Sequence, residues 1–144
     1  MLRSACEVDA MSDLVWTQDL SVGIEAIDRQ HRMLIDAIND LQASAGGTNR
    51  LLTSTVLKKL VAYVTLHFTF EEALMQCHSY DGLSEHRHDH GHFRNQIAGF
   101  QRRYEGGDSS VVNELAAFLK AWLRDHIMVE DKRYGIDLRA KGVC

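Results

Sequence analysis

The sequence predicts an all-α domain: an up-down-up-down antiparallel four-helix bundle with an N-terminal arm. Three observations carry that expectation. Four long segments, at 22–43, 51–77, 83–105 and 110–132, each repeat apolar residues at alternating steps of three and four, which puts them on one helical stripe. Clusters of Gly, Ser, Asn and Asp separate these segments at 44–50, 79–82 and 106–110, and loops that short make consecutive helices antiparallel neighbours. The 144 residues contain no proline, so none of the helices need be broken or kinked by one. No strand-like alternation competes.

Taken in order, the first stripe runs Ile24, Ile27, His31, Leu34, Ile38, Leu41. The second runs Leu57, Leu60, Val64, His67, Glu71, Leu74. The third runs Leu83, His86, His90, Phe93, Ile97, Phe100, Tyr104, and the fourth Val112, Leu115, Leu119, Trp122, His126, Val129. Polar residues interrupt all four seams: His31; His67 and Glu71; His86 and His90; His126. Burying one histidine against a backbone partner is ordinary. Burying six polar side chains on four facing seams demands a common partner. Depth agrees, since an antiparallel bundle brings the start of the first and third helices to the same end as the finish of the second and fourth. A rise of about 1.5 Å per residue then puts all six in one half of the bundle.

Spacing narrows the chemistry. His86/His90 and His67/Glu71 are i, i+4 pairs, so each pair projects from one helix face. Imidazole suits zinc, copper, iron and nickel, and carboxylates can bridge two metals. A single zinc needs about four ligands, fewer than this cluster offers, so two metals held by histidine and bridged by carboxylate suit it better. No cysteine joins the cluster, which argues against an iron–sulfur centre.

Composition bounds the rest. Hydrophobic residues at 45% and charged residues at 25% are those of a globular domain. The formal charge of −4 argues against nucleic acid or an anionic membrane as partner, and no apolar run approaches the roughly 20 residues of a membrane span. The N-terminus lacks the apolar core of a secretory signal. Cys6, Cys77 and Cys144 are odd in number and widely spaced, which reads as free thiols in a cytoplasmic protein. Residues 1–13 are expected to be a short disordered extension, 14–135 the bundle, and 136–144 a C-terminal tail. Met11 is a plausible alternative start.

The stretches VWTQDLSVGIEAIDRQHRML (15–34), HFTFEE (67–72), YDGLSEHRHDHGHF (80–93) and WLRDHIMVEDKRYG (122–135) together resemble the hemerythrin family, and within it the single-domain bacteriohemerythrins. The resemblance implies a non-haem di-iron centre, oxo- or hydroxo-bridged. In it His86, His90 and His126 hold one iron, His31 and His67 the other, and Glu71 and Asp131 bridge the two. It further implies that dioxygen binds reversibly at the open position of the second iron, for storage, transport or delivery, without catalytic turnover. Leu34, Phe68, Trp122 and Leu123 match the family's apolar oxygen pocket. The competing reading is a di-iron enzyme or scavenger acting on peroxide, dioxygen or nitric oxide. Five neutral imidazoles leave less negative charge to stabilise high-valent iron than a carboxylate-rich site does, which favours the binder. A monomer or a small oligomer is expected.

Two positions divide the readings. Five residues of regular helix turn about 500°, which carries Asp131 about 140° off the face of His126. Periodicity alone therefore selects Glu130, the resemblance selects Asp131, and a π-type loosening at the end of the helix would reconcile them. His88 and His92 form a rival i, i+4 pair, but they point about 200° away from the stripe of Leu83, Phe93 and Ile97 and are expected in solvent. His78 is expected to be an unremarkable exposed imidazole at a helix end. Asp81 stands where the family often has proline, and Cys77 beside it is expected to be a small buried residue.

Overall fold

The computed structural model describes residues 12–45, 47 and 49–144. The extension expected at 1–13, with Cys6, lies almost wholly outside the described residues. Four long helices follow the arm: α1 (Glu25–Ser44), α2 (Arg50–Cys77), α3 (Leu83–Glu105) and α4 (Val111–His126). A π turn, Ile127–Asp131, then leads without a break into α5 (Lys132–Ala140). No strand occurs among the described residues. Helix α1 packs on α2 and α4, and α3 packs on the same two, so the four close into an all-α bundle of antiparallel neighbours. None of these helices is long and apolar enough to cross a membrane.

Local chemistry sets the ends. The Asn49 side chain accepts the Leu52 N–H and caps α2. Asp28, in the first turn of α1, reaches back to the Val22 N–H at 2.8 Å, and its charge sits at the favourable end of the helix dipole. Helix α2 ends with Ser79 at φ 53°. The Tyr80 N–H bonds Met75 O and the Ser79 N–H bonds Gln76 O, a left-handed stop usually given to glycine. Arg103 joins Asp108 and Glu114 in ion pairs of 2.8 and 2.7 Å, which tie the turn between α3 and α4.

The core follows the stripes: Ile27, Leu41, Leu60, Leu115 and Leu119 are all but fully buried. The arm adds to it through Leu20, Val22 and Ile24. The arm crosses α5 at Gly135, where a Cβ would stand 2.6 Å from Val22 O, so only glycine lets the two backbones approach. Helix α5 runs five residues beyond the bundle limit read from the sequence, and Leu138 on it is wholly buried.

Two expectations are corrected. Val129, the last position of the fourth stripe, is 53% exposed, because it sits within the π turn, which shifts the helical register. Cys77 is exposed; it lies six residues past Glu71 on a regular helix, about 120° from the seam.

Candidate metal centre

The bundle brings His31 from α1, His67 and Glu71 from α2, His86 and His90 from α3, His126 from α4 and Asp131 from the π turn into one layer. All seven are buried, none more than 6% exposed. Glu71 Oε1 faces His67 Nε2 at 2.8 Å and His31 Nε2 at 3.4 Å. Its Oε2 faces His86 Nε2 at 3.2 Å and His90 Nε2 at 3.3 Å. Asp131 divides in the same way. Its Oδ2 lies 3.0 Å from His31 Nε2, and its Oδ1 lies 3.1 Å from His126 Nε2 and 3.3 Å from His86 Nε2. Each carboxylate thus gives one oxygen to a three-histidine group and the other to a two-histidine group.

Those distances suit cations better than a hydrogen-bonded core. His126 Nε2 stands 3.2 Å from His86 Nε2 and 3.3 Å from His90 Nε2; three ring nitrogens that close cannot all carry protons. Donors about 2.0–2.2 Å from one ion, at right angles to each other, lie about 3 Å apart, as these do. His31 Nε2 and both Asp131 oxygens, although closely approached, make no hydrogen bond of acceptable geometry among the described residues. Glu71, His86, His90 and His126 form one group able to hold a metal ion, and His31, His67, Glu71 and Asp131 form a second.

The π turn decides which acid joins the cluster. Its wider i→i+5 hydrogen bonding advances less per residue than an α-helix, so five residues return Asp131 close to the face of His126. Glu130 instead reaches towards Arg133, at 3.8 Å on the surface. His88 and His92 are exposed, away from the layer. His78 is half-buried, with Nδ1 2.9 Å from Leu74 O.

Electrostatics bind the cluster further. Burial lowers the pKa of His31, but the closely placed carboxylates of Asp131 and Glu71 outweigh it and raise the value to about 9. The same balance raises His86 to about 10. His90 is lowered, chiefly by burial. Burial works to raise both acids, yet the surrounding histidines hold Glu71 and Asp131 well below the usual carboxylate range.

Beside the layer lies a small apolar cavity of about 10 Å³, at the lower limit for one water-sized molecule. Leu34, Phe68, Trp122 and Leu123 all line it, with Ile38, Val64, Phe93 and Leu119. Two of its walls are also supports for the layer. Phe68 stacks on His90 at 3.6 Å and Trp122 on His126 at 4.3 Å between ring centroids.

Periodicity alone does not reveal the outer partners. Tyr134, fully buried, donates its hydroxyl to Glu71 Oε1 at 2.9 Å, and burial beside two carboxylates holds that phenol protonated. Gln30 Oε1 lies 2.7 Å from His67 Nδ1. Glu72 approaches His90 Nδ1 at 3.5 Å and pairs with Arg94 at 3.5 Å. Their one sequence signal is position, each within three residues of a cluster member.

Residues 22–135 match the family described as Hemerythrin, the hemerythrin HHE cation binding domain. The chain is 34% identical over 130 residues to a bacteriohemerythrin of Stenotrophomonas maltophilia, covering 90% of this chain and 84% of that one. It is 31% identical over 119 residues to a myohemerythrin of Theromyzon tessulatum, covering 83% and 88%. Among solved structures, a crystal structure of wild-type hemerythrin superposes with a TM-score of 0.81 at 30% identity, over 86% of this chain and 96% of that one.

Proposed function

We propose that this chain, which belongs to the hemerythrin family, binds dioxygen reversibly at a pair of non-haem iron ions, for oxygen storage, transport or delivery in the cytoplasm. The observation that carries the reading is the division of both carboxylates between unequal histidine groups, beside a small apolar cavity. His86, His90 and His126 would hold one iron, His31 and His67 the other, with Glu71 and Asp131 shared. Nitrogen and oxygen donors without sulfur suit iron in this role. The two-histidine iron, one protein donor poorer, would keep a position for ligand. When bound, the iron pair supplies the electrons and the open coordination position that dioxygen requires.

The side chains do the rest. Leu34, Phe68, Trp122 and Leu123 keep water and protons from the open side, the condition for release of the same molecule that entered. Tyr134 holds Glu71 by a hydrogen bond and, remaining protonated, adds no further negative charge. Five neutral imidazoles against two carboxylates favour a binder over an oxygen-activating enzyme.

The test is the optical spectrum of reduced, iron-loaded protein before air, after air and after deoxygenation. An absorption band that appears with air and disappears on deoxygenation supports the reading. Irreversible bleaching with consumption of added peroxide would replace the carrier with an enzyme.

A further inference from the structure

We propose that Gln30 is a positioning residue for His67, fixing the imidazole in the one tautomer that can bind metal; this rests on the reading that His67 is a ligand. The geometry is direct. His67 turns Nε2 towards Glu71 Oε1 at 2.8 Å and Nδ1 towards Gln30 Oε1 at 2.7 Å. An amide oxygen only accepts, so the proton sits on Nδ1 and the Nε2 lone pair is left for the ion. Were the ring protonated on Nε2 instead, its N–H would point at the shared carboxylate and close the position.

The contact crosses from α1 to α2, and it stands at a boundary with solvent. Gln30 and His67 both line a surface cavity of about 330 Å³ between the two helices, with Leu34, Tyr63 and Phe70 among its walls. A ring at such a boundary needs a fixed acceptor, because water from the cavity offers either tautomer a partner. The three-histidine group is backed differently. There the acid Glu72 stands 3.5 Å from His90 Nδ1, with its charge offset by Arg94. Gln30 supplies an acceptor without charge, so His67 is oriented without becoming the stronger, more anionic donor that a carboxylate partner makes.

Chelator-stripped protein is titrated anaerobically with ferrous iron in four forms: unaltered, Gln30→Leu, Gln30→Glu and His67→Ala. Leucine fills the same space and removes the acceptor. Gln30→Leu is expected to weaken one of the two iron-binding steps by roughly 10–100-fold, the usual effect of losing an outer-shell partner, and to leave the other step unchanged. Gln30→Glu keeps an acceptor and is expected to bind both ions, with a reduction potential below that of the unaltered protein. Unchanged binding by Gln30→Leu, or binding by Gln30→Glu as weak as by Gln30→Leu, overturns the role of Gln30. If His67→Ala also binds both ions unchanged, the assignment of His67 itself falls, a separate failure. The unaffected binding step and retained helical circular dichroism show that each variant is folded.

Discussion

The two halves of the bundle occupy the same four seams and are held together by different forces. Around Leu41, Leu60, Leu115 and Leu119 the seam residues are aliphatic and at most 1% exposed, each contributing about 1.5–3 kcal/mol by leaving water. Around Glu71, His90 and Asp131 the burial is as deep and the side chains are polar. An isolated buried carboxylate is costly, and removing one member of such a set leaves another uncompensated. The apolar half therefore tolerates the loss of a partner by losing stability alone, while the polar half loses its purpose. A seam defines where side chains converge; the residue type on it decides whether convergence yields a core or a cation site.

The largest effect is expected where the polar half is broken. Asp131→Ala removes the carboxylate shared between the groups and should lower metal affinity by more than about 100-fold, beyond the usual range for an outer-shell partner. Glu130→Ala, on the outside of the π turn, should leave it unchanged. Metal titration of both variants checks this. Equal losses would show that the turn does not select between the acids.

In the apolar half, Leu60→Ala should cost about 2–5 kcal/mol of stability and leave the metal content per chain as it was. Chemical denaturation beside metal analysis separates the two effects. A loss of metal without a loss of stability would mean that the halves are not independent.

A smaller, graded effect belongs to pH. In apoprotein, His31 and His86 have pKa values raised to about 9 and about 10. Their contribution to stability is full below the unfolded value of about 6.5 and is lost as pH rises through 9 and 10. The lowered carboxylates Glu71 and Asp131 act in the opposite sense, contributing above about pH 4 and less as the solution is acidified. Metal must displace both histidine protons at neutral pH. Apparent metal affinity should therefore rise between pH 6 and 8, by up to roughly tenfold per unit for each proton displaced. A flat profile over that range would show the histidines to be neutral before metal arrives.

The seams, the antiparallel order and the polar layer were legible because each depends on helical period, and 3.6 residues per turn is nearly constant along α1 to α4. Legibility fails where the period changes or does not apply. Asp131 is the last residue of a π turn, so periodicity alone selects Glu130, and only the resemblance to the hemerythrin family points to Asp131. Val129 continued the fourth stripe on paper and faces solvent for the same reason. Gln30 and Tyr134 meet His67 and Glu71 across helix interfaces, where contact depends on crossing geometry and side-chain reach. Cys77 shows a plainer lapse, since the regular turn of α2 already points it outward.

The central claim is that two metal ions are held by unequal histidine groups and shared by Glu71 and Asp131. Anomalous diffraction from crystals of the iron-loaded protein tests it most directly. Two peaks are predicted, one about 2.0–2.2 Å from the ring nitrogens of His86, His90 and His126, the other equally close to those of His31 and His67. Both should lie in contact with Glu71 and Asp131. A single peak, or a second ion bound by Glu130 in place of Asp131, would contradict the account.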